Sequence, residues 1–284
     1  MAWIPFALLT AFSLATADAL SKRRLRDTNE YVIAWVREGY ALPFLVLVLL
    51  FIPIPDLDRT FWFTVLILLP LEITAILLYV KAIRVSPLSL TIPFMALSPA
   101  FIILIAFLFL GELPDLSGLV GVFLIVVGAY VLNAKMSREG LFEPIRAIGR
   151  ERGSVLMIIV AFIYSITSTL AKVAIQHSSP IFFSFFYPFI LTIILSCIIG
   201  YRGLFRKVVS RPMSFLAIGF FTAVMVISHF VALSLTDVVY MISVKRTSLI
   251  FSVIYGWLIF YEENVKERLI GSVIMVAGVV LIVL

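Results

Sequence analysis

The sequence predicts an all-α membrane protein with ten transmembrane helices, formed by two five-helix repeats of inverted topology around a central cavity. Its composition, its spacing of apolar runs and an internal repeat support this prediction. Hydrophobic residues make up 63% of the 284 residues and charged residues 13%, whereas a soluble domain is roughly 45–50% apolar and about 25% charged. Most of the surface must therefore face hydrocarbon, and we expect a lipid bilayer around it.

Apolar runs between charged or Gly/Pro-rich breaks define ten segments, and a spanning helix needs about 20 residues. The segments are roughly 3–20, 31–51, 61–82, 88–110, 116–133, 154–174, 180–200, 213–235, 238–260 and 267–284. They predict a first repeat over 1–133, a cytoplasmic connector over 134–153 and a second repeat over 154–284. In the connector, apolar residues at helical spacing, separated by arginines, predict a short amphipathic helix at the membrane interface.

Basic residues lie almost entirely in the loops on one side of the predicted membrane. The positive-inside rule makes that side cytoplasmic and places both termini on the non-cytoplasmic side of the plasma (inner) membrane. The net charge of +6 is thus explained by loops at a negative membrane surface rather than by nucleic acid. The opposite side carries Arg59 and Lys172. The cytoplasmic set is Lys22, Arg23, Arg24, Arg26, Lys81, Arg84, Lys135, Arg138, Arg146, Arg150, Arg152, Arg202, Arg206, Lys207, Arg211, Lys266 and Arg268.

The second half of the chain repeats the first after a shift of 150 residues, the spacing between Glu112 and Glu262. The same shift pairs two glycines in each half, Gly121 with Gly271 and Gly128 with Gly278. Each half has five predicted helices, an odd number, so the second half is inverted relative to the first. Inverted repeats of this kind are typical of secondary transporters. The glycines predict close packing of the last helix of each half.

These features resemble a known family. The stretch 88–132, with Ser98-Pro99, Leu-Gly-Glu at 110–112 and a two-glycine last helix, is similar to the EamA repeat of the drug/metabolite transporter superfamily. The stretch 230–284 is similar to a second copy, with Leu249 where the first has Pro99. The resemblance implies a secondary transporter whose cavity is lined by segments 1–4 and 6–9, with segments 5 and 10 at the periphery.

Lys245 and Arg246 are the most informative charges inside a predicted span. They lie about 10 Å from its outer end at 1.5 Å per residue, and their repeat partners are Met95 and Ala96. Adjacent cations in hydrocarbon need counter-charge, from an anionic ligand or from a carboxylate such as that of Glu72. Glu38 is the alternative carboxylate. The pair also resembles the helix-9 pair of plastid sugar-phosphate transporters, which implies phosphate binding by these two positions.

Other polar residues complete the predicted substrate site. At helical spacing, Ser248 and Ser252 continue the face of Lys245, and Tyr255 follows them. Tyr79 and Tyr240 are predicted to supply hydroxyls or stacking faces, with anchoring or packing as the alternative. Further candidates, and a charge expected at the interface, lie in other segments. Arg37 either enters the cavity or extends to the interface; Glu72 and His229 are proton-coupling candidates, with charge pairing and packing as their alternatives; Asp18 is expected at the interface.

The function predicted from these features is secondary active transport of a small polar or anionic organic metabolite by alternating access, with proton coupling and exchange both left open. The alternative is a membrane enzyme or assembly subunit that handles a phosphorylated or lipid-linked substrate. Nucleotide-binding, zinc and hydrolase motifs are not found in the sequence. We therefore expect no enzyme activity, catalytic residue, cofactor, metal or nucleic-acid partner, and a monomer or homodimer.

Overall fold

The computed structural model of the protein describes residues 2–49, 53–110, 116–135, 140 and 142–282. The described chain is helical, with loops between the helices and no strand. The first half contains α1 (Trp3–Arg24), α2 (Glu30–Gly39), α3 (Leu42–Leu49), α4 (Arg59–Val85), α5 (Leu88–Thr91), a 3₁₀ segment (Ile92–Ala96), α6 (Leu97–Leu110) and α7 (Leu116–Val131). The connector contains α8 (Glu143–Arg150). The second half contains α9 (Arg152–Gln176), α10 (Pro180–Tyr201), α11 (Phe205–Val208), α12 (Pro212–Leu235), α13 (Val238–Lys245), α14 (Ser248–Phe260) and α15 (Val265–Leu281).

Six helical stretches are each long and apolar enough to cross a membrane: Trp3–Arg24, Arg59–Val85, Arg152–Gln176, Pro180–Tyr201, Pro212–Leu235 and Tyr240–Phe260. The other predicted segments correspond to α2 with α3, to α5 through α6, to α7 and to α15. These helices are shorter or interrupted, so six spans follow from helix length and composition, and ten remains a prediction. The connector helix is present as α8, while the predicted contributions of Arg138 and Leu141 lie outside the described residues.

The halves of the chain are interleaved. Helix α1 of the first half packs along α12 of the second, and α4 packs along α9. Corresponding helices begin and end at corresponding residues: α4 ends at Val85 and α12 at Leu235. The cores on either side of the centre therefore contain side chains from both halves, and the polar residues of both halves converge between them.

Corresponding lysines make the same hydrogen bonds in each half. The ammonium of Lys22 donates to the carbonyls of Ile83 and Ser86, at 3.2 and 2.5 Å. The ammonium of Lys172 donates to the carbonyls of Leu233 and Thr236, at 2.5 and 2.8 Å. Each acceptor pair is offset by the same 150 residues as the lysines. The sequence repeat thus extends to individual contacts at the ends of α4 and α12.

The glycines of the last helices bring α7 and α15 into close contact, as expected. A Cβ atom built on Gly121 would lie 2.5 Å from the carbonyl oxygen of Gly278, and one on Gly128 would lie 2.7 Å from that of Gly271. Gly121 meets Gly278 and Gly128 meets Gly271, so the two helices run antiparallel. This is the arrangement that glycine permits, because it has no Cβ to hold the backbones apart.

The fourth and ninth predicted segments are interrupted at matching positions. In the first half, the 3₁₀ segment Ile92–Ala96 separates α5 from α6. In the second half, α13 ends at Lys245 and α14 begins at Ser248. The backbone amide of Thr247 bonds to the carbonyl of Val244, three residues back, so the turn is tighter than α-helical. Leu249 in place of Pro99 therefore does not make the ninth segment a regular helix.

Candidate functional site

A cavity of about 120 Å³ lies between the halves of the chain. Leu14 of α1, Ile92 and Met95 of the 3₁₀ segment, and residues of α2, α4, α9, α10, α12, α13 and α14 line it. Its polar lining consists of Arg37, Glu38, Glu72, Tyr79, Tyr164, Thr167, Ser168, Tyr187, His229, Lys245, Arg246 and Ser248. The interruption between α13 and α14 places Lys245 and Arg246 against this cavity.

Lys245 and Arg246 have no carboxylate within 4.0 Å among the described residues. Arg246 is 3% exposed, and its Nη2 donates a 2.8 Å hydrogen bond to the hydroxyl of Ser98. Its Nε is buried without a hydrogen-bond partner. The Nζ of Lys245 lies 3.5 Å from Nδ1 of His229. The structure therefore brings two cations to the cavity wall and supplies them with neutral partners.

The carboxylates expected to neutralise this pair also line the cavity, but they are not in contact with it. The carboxyl group of Glu72 interacts with the hydroxyls of Tyr187 and Thr167. Glu38 lies beside Arg37 in the chain and is close enough to Glu72 for their charges to interact. Glu72 and Lys245 interact at longer range across the cavity. Direct ion pairing of Glu72 or Glu38 with Lys245 or Arg246 is thus not found.

Arg37 forms a buried ion pair, which corrects the expectation that it extends to the interface. Its Nη1 donates a 2.6 Å hydrogen bond to Oδ1 of Asp18, and its guanidinium lies 5.4 Å from the ring centroid of Tyr79. Asp18 is 1% exposed, so its predicted interfacial position was wrong. The physical reason is mutual: each charge finds its partner inside the bundle, so neither needs to reach water.

The predicted polar face of the ninth segment is only partly directed at the cavity. Ser248 lines the cavity beside Lys245. Ser252 is fully buried with no hydrogen-bond partner for its hydroxyl among the described residues, and Tyr255 shares a 2.9 Å hydrogen bond with Thr16 of α1. Tyr240 is 42% exposed and lies outside the cavity lining. The tight turn after Arg246 changes the angular register, so regular helical spacing misplaces the residues around it.

Glu262 was expected to be a cap or loop charge, and it caps a helix of the other half. Its carboxylate accepts hydrogen bonds from the backbone amides of Leu88 and Ser89, at 2.7 and 2.8 Å, at the start of α5. Lys22 and Arg268 lie 3.6 and 3.5 Å from it. Its repeat partner Glu112 lies outside the described residues. No group of three or more described His, Cys, Asp or Glu residues is placed to hold a metal ion.

Comparison with known proteins gives the family. A family model described as the EamA-like transporter family matches residues 1–134 and 151–284. The chain belongs to the EamA-like transporter family. The resemblance drawn from Ser98-Pro99, Glu112 and Glu262 is thereby confirmed, with two copies of the repeat. Members of the EamA family are transporters, and this chain is a multi-pass, all-α transmembrane protein.

The wider comparisons add the fold but no substrate. One solved structure, titled only as a crystal structure of a protein, matches with a TM-score of 0.64 at 13% sequence identity, over 98% of this chain and 94% of that one. At that identity the likeness concerns the fold alone. A search of curated proteins gave no match. The chemistry of this EamA protein must therefore be argued from its own cavity.

Proposed function

We propose that this EamA protein is a secondary active transporter that moves a small polar or anionic organic metabolite across the plasma membrane by alternating access. Ten spans with both termini on the non-cytoplasmic side complete the proposal. The observation that carries it is the pair Lys245 and Arg246, two adjacent cations at the cavity wall whose contacts are a histidine nitrogen and a serine hydroxyl.

The electrostatics of this pair favour an anionic ligand. Taking a charge out of water costs several kcal/mol (roughly, per ion) unless a partner of opposite charge and further hydrogen bonds offset it. Arg246 lacks both a carboxylate partner and a partner for its Nε. The anionic group of a ligand would supply both, and a guanidinium binds carboxylate or phosphate through two parallel hydrogen bonds. A pair that served only as scaffold would be expected to have its counter-ion already in place.

Comparison of the two repeats supports the same reading. A shift of 150 residues replaces Lys245 and Arg246 with Met95 and Ala96, at the end of the 3₁₀ segment. Both halves thus share the interrupted backbone, while the charges occur in one half only. Interrupted helices near the membrane midplane form substrate and ion sites in inverted-repeat transporters. Rocking of the two halves about such a site would open it to each side in turn.

The cavity limits the ligand and suggests what else touches it. Its volume of about 120 Å³ is slightly below the roughly 150 Å³ of an engineered cavity that binds benzene, so the substrate is a small metabolite. Ser248, Tyr79 and Arg37 are the additional ligand-binding candidates at the cavity wall. Glu72 and His229, also in the wall, remain the sequence-based candidates for proton coupling. Ser252 and Tyr240 are not retained as ligand-binding residues.

A ligand screen tests the proposal directly. Purified protein is heated with phosphorylated sugars, amino acids and organic anions, because a ligand that binds only the folded state raises its apparent stability. We expect stabilisation by at least one anionic compound, and its loss in the double variant Lys245→Gln, Arg246→Gln. The matched control is Arg206→Gln, Lys207→Gln, which removes an adjacent exposed pair on α11. Equal stabilisation of both double variants would overturn the site.

A further inference from the structure

A buried ion pair lies directly behind the cavity wall. Oδ1 of Asp18 accepts the 2.6 Å hydrogen bond from Arg37, and Oδ2 accepts one of 2.5 Å from the hydroxyl of Tyr79. Asp18 is 1% exposed. Arg37 and Tyr79 both line the cavity, whereas Asp18 is not part of the described lining. A ligand in the cavity can therefore affect Asp18 only through these two side chains.

This cluster occurs in one half of the chain only. A shift of 150 residues takes Asp18, Arg37 and Tyr79 to neutral or weakly basic residues, all of which line the cavity: Ser168, Tyr187 and His229. A contact needed only to hold the fold, such as that of Lys22 and Lys172, is repeated in both halves. The ion pair is not repeated, so its charges serve something that the two halves do not share.

Asp18 depends on Arg37 for its counter-charge. The titratable groups that bond to it directly are Arg37 of α2 and Tyr79 of α4. Lys245 of α13 and Tyr164 of α9 act on it from farther away. From α12 and α14, the polar contacts to α1 are Ser228 with Thr10 and Tyr255 with Thr16. If the guanidinium of Arg37 turned to another anion, Asp18 would have no cation in contact.

We propose that Asp18 is the proton-binding group of the transport cycle. An anionic ligand takes the guanidinium of Arg37, and the carboxylate of Asp18 then binds one proton. Before the step, the buried charges are the Asp18 carboxylate and the Arg37 cation. After it, they are the Arg37 cation and the ligand anion, with Asp18 neutral. One proton enters with each negative charge, so neither state leaves an unpaired ion in the low-dielectric interior.

Tyr79 provides the route for the proton. Its hydroxyl lines the cavity and donates to Oδ2 of Asp18. A proton from cavity water can bind to the phenolic oxygen while the phenol's own proton passes to Asp18, which leaves Tyr79 unchanged. Glu72 lacks this coupling, because its contacts are the neutral hydroxyls of Tyr187 and Thr167. An arriving anion would not take a counter-ion away from Glu72.

This inference rests on the proposed anion transport, and calorimetry separates the two. Binding of methanesulfonate, an anion that stays unprotonated throughout the neutral range, is measured in two buffers of different ionisation enthalpy. The difference in heat gives the number of protons taken up per anion bound. We expect one proton per anion in the wild type, the same number in the exposed control Asp56→Asn, and none in Asp18→Asn. Glu72→Gln should still take up the proton, even with weakened binding.

A second variant guards against misfolding, because Asp18→Asn leaves Arg37 unpaired. The double variant Asp18→Asn, Arg37→Gln removes both charges, and we expect it to bind methanesulfonate more weakly and without a proton. Proton uptake in this variant, or its loss in Glu72→Gln, would overturn the role of Asp18. Anion binding by the wild type without a proton would overturn the inference and leave the transporter proposal standing. No anion binding at all would overturn both.

Discussion

Arg246 and Ser98 join the two halves of the chain by a 2.8 Å hydrogen bond from a guanidinium to a hydroxyl. Ser98 begins the helix that follows the 3₁₀ segment of the first half, and Arg246 lies in the interruption of the second. Its partner under the 150-residue shift, Ser248, lines the cavity beside Lys245. The hydrogen bond therefore connects the interruptions of both halves at the proposed anion site.

Ser98→Ala should destabilise the protein, since it leaves a second buried N–H of Arg246 without a partner. Loss of a hydrogen-bond partner by a buried polar group costs about 1–3 kcal/mol. Thermal unfolding in detergent measures the effect. The matched control is Ser234→Ala, whose exposed hydroxyl bonds only to the carbonyl of Val231 in its own helix. Similar unfolding temperatures for the two variants would show that the Arg246–Ser98 contact contributes nothing.

Lys22→Met and Lys172→Met should have comparable effects at opposite ends of the repeat. Each substitution keeps an unbranched side chain but removes two hydrogen bonds to helix-end carbonyls. We expect each to cost about 1–3 kcal/mol of unfolding free energy, with the larger loss for Lys22, which also lies 3.6 Å from Glu262. Lys81→Met, on an exposed surface, is the control. A neutral effect of Lys172→Met would contradict the equivalence of the two ends.

Gly128→Ala should loosen the contact between α7 and α15, because the new Cβ would lie 2.7 Å from the backbone oxygen of Gly271. Backbone cannot move aside as a side chain can, and overpacking costs about 1–3 kcal/mol. Gly149→Ala is the matched control: nothing lies within 4 Å of its Cβ. There, the higher helix propensity of alanine should stabilise α8 by up to about 1 kcal/mol. Opposite shifts in unfolding temperature are expected, and equal shifts would refute the packing argument.

Asp58 predicts a pH dependence of stability outside the membrane-spanning helices. The Phe61 amide donates a 2.8 Å hydrogen bond to its carboxylate, and this bond, together with His177, holds the pKa of Asp58 below its usual range. The ionised form therefore stabilises the fold above the unfolded-state pKa, and that contribution is lost as pH falls through the folded-state pKa. Asp58→Asn keeps an N-cap residue but removes the charge. Its unfolding temperature should fall less on acidification than that of the wild type, and an unchanged pH profile would contradict this.

The sequence predicts the helices well and the buried contacts poorly, for physical reasons. Hydropathy depends on residue type, so the apolar segments coincide with helices, and the repeat predicts the contact of Gly128 with Gly271. A partner across the bundle depends on which helices are neighbours, so Asp18 and Arg37 were each placed at the interface as an expectation or an alternative. Tyr240 was misplaced because the turn after Arg246 is not α-helical.

The central claim is that Lys245 and Arg246 bind a transported anion, and solute flux in proteoliposomes tests it most directly. The compound that stabilises the protein most in the thermal screen is labelled, and its counterflow is measured for the wild type and for the two double variants. We expect saturable flux in the wild type and in Arg206→Gln, Lys207→Gln. Lys245→Gln, Arg246→Gln should remain folded and lose the flux. Undiminished flux through that variant would contradict the account.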